Sequence, residues 1–351
     1  MNSMLDFLWR LVSHDLGIDL GTANTFVFVR EKGIVIREPS VVARSKETKK
    51  ILAVGSKAKK MIGKTPERIE AIRPLADGVI ADFDACLAML SYYIKLIHQS
   101  PGVMPRIPRP KVVVGVPSGI TEVESRAVQD AALSAGARKA FLVEEPMAAA
   151  IGIDLPIEKP SGQLLIDIGG GTTEIAVISL GGIVIERCLR IAGDEMDEAL
   201  VNFARLKHGL ILGLASAEEV KINIGSVLSM KKEKVYVVRG RDLESGLPRS
   251  LKLSSVEVRE ALAPVVQKIV GSVEDTIEET PPELLGDILK HGIVLAGGGS
   301  QLYGFEKLIS EKTKMPAWLA DDPLTCVVRG CGKLLENDRL LQKVKLVSKL
   351  E

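Results

Sequence analysis

The sequence predicts an α/β protein built from two similar halves, and three glycine-bearing stretches carry that prediction. The first runs Leu164-Leu165-Ile166-Asp167-Ile168-Gly169-Gly170-Gly171-Thr172-Thr173-Glu174-Ile175-Ala176-Val177-Ile178. An apolar run delivers one carboxylate, three glycines and two hydroxyls at a reversal, and a second apolar run leads away. It reads as a β-hairpin with a phosphate-sized tip, because glycines let successive backbone amides converge on one point. Asp167 would repel a bare phosphate, so a divalent cation held between carboxylate, water and phosphate oxygens suits the pair. Taken alone, an ordinary glycine-rich turn with a solvated Asp satisfies the same pattern.

The second stretch, Leu16 to Val29, repeats the order of strand, Asp, Gly, hydroxyl and outgoing strand, with Asp19 standing where Asp167 does. Two such hairpins suggest a duplicated unit whose halves offer their loops to one shared ligand, in the kind of interdomain cleft where ligands usually sit. The third stretch, Ile293-Val294-Leu295-Ala296-Gly297-Gly298-Gly299-Ser300, runs a strand into a glycine tip before a helical segment, Phe305 to Lys312. Such a tip can present amides and a helix N-terminus to a ligand, and it is equally a plain strand-to-helix turn. Neither a Walker loop nor G-x-G-x-x-G is present.

Composition bounds the reading. At 351 residues, with 46% hydrophobic and 26% charged, the chain has room for two globular domains. Lys plus Arg (46) nearly balances Asp plus Glu (45), and only 4% is aromatic, so nothing calls for nucleic acid as a partner. Cys86, Cys188, Cys326 and Cys331 lack metal or redox spacing and read as buried thiols of a reducing cytosol. No apolar run reaches the roughly 18 residues that span a bilayer, and no signal-peptide cleavage pattern is present.

Taken in order, Met1 to Val12 is amphipathic: Asn2, Ser3, Asp6 and Arg10 share one narrow arc, and Met1, Met4, Leu5, Phe7, Leu8, Trp9, Leu11 and Val12 cover the rest. This helix suits a membrane interface, with docking on the protein's own core as the alternative. A single copy would bind weakly and many copies on one assembly strongly. Short strands follow to Val54, then a polar stretch from Lys57 to Asp84 that suits a small inserted subdomain. A helix is expected from Phe83 to Ile97, and the Pro-rich loop from Ser100 to Pro110 carries Val103 and Met104, which could touch membrane.

Lys111 to Val116 is a buried strand by its β-branched run, and Thr121-x-x-Glu124 opens a helix ending near Gly136. Phe141 to Val143 runs into Glu144-Glu145-Pro146, which places Glu145 at a strand-to-helix corner with Pro146 in the first turn. There Glu145 can enter a cleft or simply complement the helix dipole. After the second hairpin, Gly193 to Asp197 leads a helix to about His208, capping boxes are expected at Ser216 and Thr280, and a long helix is expected from near Ser254 toward Glu279. The Ser216 helix carries Glu218 and Lys221, which without context read as a surface pair. Residues from Asp322 onward look helical and end in a basic, solvated tail.

These residues together resemble the superfamily of actin, the seventy-kilodalton heat-shock proteins and the sugar kinases. Within it the chain is similar to the MreB family, the bacterial actins of rod-shaped cells. The likeness is carried by Asp19 to Thr25, Arg73 to Asp82, Glu144 to Ala150, Asp167 to Glu174, Gly193 to Asp197 and Thr280 to Leu284. It extends from about Leu16 to Leu335. It implies an actin-like fold, two ribonuclease-H-like domains around a nucleotide cleft, each with a smaller inserted subdomain. The corresponding boundaries are a membrane-binding helix 1–13, domain I 14–152 with a subdomain about 40–84, domain II 153–332 with a subdomain about 194–258, and a tail 333–351.

The resemblance further implies ATP and magnesium. Thr22, Ala23 and Asn24, with Gly170, Gly171 and Thr172, would line the phosphates, and Asp19 and Asp167 would hold magnesium largely through its waters. Gly298, Gly299, Ser300 and Gln301 would border the adenosine, and Glu218 and Lys221 would reach the ribose and base. Glu145 would orient or deprotonate the attacking water, with Thr172 helping to place it. The implied function is slow ATP hydrolysis coupled to head-to-tail filaments, as antiparallel double protofilaments on the inner face of the cytoplasmic membrane. These would scaffold cell-wall elongation with membrane proteins of the wall-elongation machinery and maintain rod shape. The alternative is a soluble small-molecule kinase on the same fold, disfavoured because no sugar-binding constellation is found. A chaperone is disfavoured because residues 336–351 are too few for a peptide-binding domain. Two features depart from the family's commonest pattern: Ala296 stands where a Thr is frequent, and the N-terminal segment is longer and more apolar than in many relatives.

Overall fold

The structure is a computed structural model that describes residues 13–99 and 107–346. The expected amphipathic helix at 1–12 and the Val103-Met104 loop tip lie outside the described residues. The chain divides into two compact units. Unit 1 holds the residues up to 160, 178–183 and those from 324 on, and unit 2 holds 161–177 and 184–323.

Unit 1 is built on a five-stranded sheet in the order Lys139–Glu144, Lys111–Val116, Leu16–Leu20, Asn24–Val29, Gly33–Pro39. Leu16–Leu20 pairs antiparallel with its hairpin partner and parallel with Lys111–Val116, so Asp19 lies level with Gly115. The continuous Val-rich run Lys111–Val116 is buried throughout, as a strand covered on both faces must be. Helix Phe83–His98 packs Met89, Leu90, Tyr93 and Ile94 into this core. A three-stranded sheet, Ile51–Val54, Val42–Ser45, Ile69–Ile72, forms the small subdomain.

Unit 2 repeats the plan. Its five strands run Gly182–Leu189, Thr173–Ser179, Gln163–Ile168, Ile293–Ala296, Ala317–Leu319. Gln163–Ile168 pairs parallel with Ile293–Ala296, which sets Asp167 level with Ala296. Each half therefore has a central strand whose penultimate residue is an Asp, a hairpin on one side and a parallel strand on the other. Helices Gly193–His208 and Ser255–Glu279 cover the second core, and a three-stranded sheet of Leu210–Ile211, Val235–Asp242 and Pro248–Ser254 forms its small subdomain.

Several expectations are corrected. The capping box expected at Thr121 forms, its hydroxyl taking the N3 amide while Glu124 reaches back, and the long helix that starts after Ser254 carries a box of the same kind with Glu257. Those expected at Ser216 and Thr280 do not form. The Ser216 helix starts earlier, at Leu214, with Gly213 as its cap and Ser216 inside the first turn. Thr280 instead donates its hydroxyl to Thr276 O at 2.6 Å, closing the preceding helix, and Pro281 caps Pro282–His291.

Within the tail expected at 333–351, the chain is helical and in part packed as far as Leu341, Lys343 is exposed, and Lys349 lies outside the described residues. Helix Cys326–Glu336 buries Cys331, Leu334 and Leu335, and Leu341 of the next helix is buried too. Helix Cys326–Glu336 crosses helix Glu145–Gly152 backbone against backbone: a Cβ on Gly330 would fall 1.7 Å from Ala148 O, and one on Gly152 would fall 1.9 Å from Cys326 O. Beyond it, Lys345 bridges Val143, and the Leu346 amide donates to Leu142 O at 2.9 Å. Of the four cysteines three are buried, but Cys188 is exposed, on a strand whose outer face alternates toward solvent.

Candidate functional site

In unit 1 the first hairpin tip is held rigidly from behind. Ser40 donates its hydroxyl to Gly21 O at 2.5 Å and its amide to Ala23 O at 3.0 Å, while Thr25 Oγ1 lies 2.8 Å from Ser40 Oγ. A Cβ on Gly21 would sit 2.8 Å from Asn24 O, so the turn over Thr22, Ala23 and Asn24 needs glycine there. Thr22 is buried, and its hydroxyl accepts the Gly78 amide at 2.9 Å. That bond ties the tip to the Asp77-Gly78 reversal, both of whose residues have positive φ.

Glu145 opens its helix directly after strand Lys139–Glu144, with Pro146 in the first turn. Its neighbourhood is set by Gly115: a Cβ there would lie 3.5 Å from Glu145 Cγ, 2.7 Å from Val327 Cγ1 and 3.9 Å from Cys331 Sγ. Asp19, level with Gly115, and Glu145 thus converge on one spot in this unit. Burial pushes the Cys331 thiol well up, and the charges of Asp19 and Glu145 add to that push.

In unit 2, Asp167 is 8% exposed, and burial pushes its carboxyl up to about 7. Among the described residues, no hydrogen bond or ion pair partners that side chain. Its cradle is Gly297, whose φ of +80° suits glycine, and whose absent Cβ would fall 2.3 Å from Asp167 Oδ1 and 2.3 Å from Ile168 O. The loop Gly169–Gly170–Gly171–Thr172 closes on itself through the Gly169 amide to Thr172 O at 2.8 Å. Helix Gly193–His208 then begins against it: the Gly193 and Asp194 amides donate to Gly169 O (3.3 Å) and Gly170 O (2.8 Å).

Glu218 and Lys221 lie on helix Leu214–Ile224. Lys221 Nζ donates to Gly193 O at 2.6 Å and pairs with Asp197 Oδ1 at 2.9 Å. Asp197 is buried, and burial pushes its carboxyl up to about 6 against the pull of Lys221, with Glu218 and Asp194 pushing the same way as burial. At the third glycine tip Gly298 takes helical angles, Gly299–Gln301 makes a single 3-10 turn, and the Ser300 hydroxyl donates to Ala296 O. Gln301 is exposed. The α-helix starts only at Phe305, capped by Gly304, so its N-terminus does not follow directly on the tip.

Sequence reasoning missed Gly115, Gly297 and Asp197. Gly115 had a signal, since a lone glycine inside a β-branched run marks a close approach. Asp197 stood only as part of the Gly193 to Asp197 run, because its partner Lys221 comes from another helix.

The family model described as "MreB/Mbl protein" matches residues 13–343. The cell shape-determining protein MreB of Escherichia coli (strain K12) is 49% identical over 95% of this chain and 96% of its own length. The cell shape-determining protein Mbl of Bacillus subtilis (strain 168) is 44% identical over 96% and 100%. Among solved structures, MreB5 of Spiroplasma citri bound to ADP superposes with a TM-score of 0.87 at 36% identity, over 93% of this chain and 97% of that one. The MamK double helical filament gives 0.78 at 26%, over 93% and 99%. The doubled five-stranded plan is the actin-like fold, and with the match running through both glycine hairpins and the third tip, the chain belongs to the MreB/Mbl family.

Proposed function

We propose that the chain is an ATP-dependent, membrane-associated, filament-forming bacterial actin that scaffolds cell-wall elongation and maintains rod shape. Its relatives are cell shape-determining proteins, solved relatives hold ADP or AMPPNP, and one is a double helical filament. The observation that carries the nucleotide reading is Asp167, a buried carboxylate with no countercharge of its own unit, set beside a triple-glycine loop.

That arrangement fits magnesium, which keeps several waters and takes one or two carboxylates plus phosphate oxygens. It does not need a dense ligand cluster, and no group of three His, Cys, Asp or Glu among the described residues could form one. Asp19 and Asp167 would hold the ion, and its chemistry would be neutralisation of charge on the phosphates. Thr22, Ala23 and Asn24, with Gly170, Gly171 and Thr172, cradle the phosphates. Gly298, Gly299, Ser300 and Gln301 border the adenosine, with Glu218 facing the sugar. Glu145 takes the proton of, or orients, the attacking water, and Thr172 helps to place it. Phosphoryl transfer to water depends on such positioning and charge neutralisation, so a few fixed groups suffice.

Filaments assemble head to tail, as antiparallel double protofilaments, through the small subdomains. Membrane attachment is by residues 1–12, whose amphipathic pattern supports peripheral binding at the inner face of the cell membrane, where proteins of the wall-elongation machinery are the partners. No helix of the described residues is long and apolar enough to cross a membrane.

The test is co-sedimentation of the full chain and a version lacking residues 1–12 with anionic vesicles, with and without magnesium ATP, alongside phosphate release by wild type and Glu145→Ala. Pelleting of the full chain alone, strengthened by ATP, and slowed release by a variant that still binds ATP, are the expected results. Absence of polymer under every nucleotide condition would remove the filament reading.

A further inference from the structure

The nucleotide site proposed above gives Lys221 a task other than touching the base, and the inference rests on that site. Helix Leu214–Ile224 brings Lys221 to Gly193 O at 2.6 Å and to Asp197 Oδ1 at 2.9 Å. The lysine side chain is 13% exposed and the aspartate 5%. A buried ammonium with a carbonyl and a carboxylate as close partners has little reason to leave them, since breaking a buried pair strands a charge.

What Lys221 holds is the start of helix Gly193–His208, and that start holds the phosphate loop. The Gly193 and Asp194 amides donate to Gly169 O and Gly170 O. A Cβ on Gly193 would lie 3.2 Å from Lys221 Nζ and 3.2 Å from Gly169 O, so three segments meet tightly there. The run is continuous: Asp197 fixes Lys221, Lys221 fixes Gly193 and its neighbour Asp194, and these two fix Gly169 and Gly170. Burial drives the Asp197 carboxyl upward while Lys221 pulls it back, so the ammonium is what keeps this carboxylate ionised in a dry setting.

We infer that Lys221, with Asp197, is a positioning residue that latches the phosphate loop Gly169–Gly171 to the helix carrying Glu218. The latch acts on phosphate geometry and is indifferent to the base. Glu218 sits one turn before Lys221 on the same helix, so contact at the sugar side and shape at the phosphate side share one rigid element.

A ligand without a base separates this role from direct base contact. Affinities of wild type, Lys221→Met, Asp197→Asn and the double variant are measured for magnesium ATP and for magnesium tripolyphosphate. The expected result is that Lys221→Met weakens both ligands by the same factor, about tenfold or more. Amide exchange at Gly193 and Asp194 should also speed up in the ligand-free variant. The double variant, which leaves no unpaired charge, should fold at least as well as Lys221→Met and bind no more weakly, so a folding defect cannot imitate the result. Loss of ATP affinity with tripolyphosphate binding intact would overturn the latch in favour of base contact. Unchanged exchange at Gly193 and Asp194 would overturn it as well. If wild type bound neither ligand, the nucleotide reading itself would fail, an outcome distinct from either.

Discussion

Ser13 Oγ lies 3.1 Å from His98 Nε2, and the same nitrogen accepts the His14 amide at 3.1 Å. The other ring nitrogen, Nδ1, is 2.7 Å from Ile94 O, which it serves as donor, so the ring is fixed as the tautomer protonated at Nδ1. Ser13 also accepts the Arg109 amide at 3.2 Å. One imidazole and one hydroxyl therefore join the residue that follows the amphipathic N-terminus to both flanks of the Pro-rich loop. Replacing His98 with Leu leaves the Ser13 hydroxyl and His14 amide without their buried acceptor, at about 1–3 kcal/mol. Urea unfolding should register the loss, and hydrogen exchange should find the His14 amide deprotected; full protection at His14 would contradict the assignment.

Gly115 should matter to hydrolysis more than to binding. An alanine there must displace Val327, which shares this neighbourhood with Glu145, with a stability cost of about 1–3 kcal/mol. In Gly115→Ala, phosphate release is expected to slow while ATP affinity stays near wild type. Adding Val327→Ala, which clears the 2.7 Å approach, should recover part of both stability and rate. If the rate does not move in either variant, Gly115 does not shape the Glu145 site.

The third glycine tip separates structural from ligand demands. Gly297 has a positive φ and no space for a Cβ, whereas Gly298 takes ordinary helical angles (φ −68°, ψ −35°). Gly297→Ala is expected to lower stability by roughly 1–3 kcal/mol and to weaken nucleotide binding through Asp167. On the proposed adenosine border, Gly298→Ala, whose helical angles an alanine adopts without strain, should keep most of its stability while losing nucleotide affinity. Thermal melts with and without nucleotide tell the two apart.

The small sheet of unit 1 should be acid-sensitive. Arg44 is 2.6 Å from Glu70 Oε1 and forks onto Asp82 at 2.6 and 3.1 Å. Its hydrogen bond holds Glu70 below the ordinary carboxylate range; burial resists ionisation of Asp82, but the Arg44 fork and the Ala85 amide outweigh it. Both folded values are depressed, so the stabilisation is present above the ordinary range and is lost as pH falls below about 4. Arg44→Met should therefore cost more stability at neutral pH than near about pH 3. Urea midpoints at the two pH values, equal in their mutational shift, would count against it.

The framework of both units could be read from the sequence because strand and helix periods are local. Thr121-x-x-Glu124 formed its box as written, and Ser254-x-x-Glu257, where only a helix start was read, forms one too. The same pattern failed at Ser216 and Thr280, where a Gly cap and a competing carbonyl of the previous helix decided the boundary. The carboxylates of the candidate site were visible because each sits inside a recognisable run. Gly115 beside Val327, and Asp197 beside Lys221, were not, since their meaning arises only when distant segments pack. The C-terminal segment was read in part: it is helical from the region expected, but the burial of Leu334, Leu335 and Leu341 was not signalled by its basic last residues.

The placement of helix Cys326–Glu336 also orders events on the ribosome. Unit 2 lies in the chain between two parts of unit 1, so every strand of its main sheet has been synthesised before the helix that packs against Gly17, Gly152 and the 145–152 helix. Unit 1 must wait with an uncovered sheet until that helix arrives, and contacts so distant along the chain close slowly. A chain ending before residue 326 would thus hold every strand of the second half's main sheet beside an open first half, unable to complete the Glu145 corner.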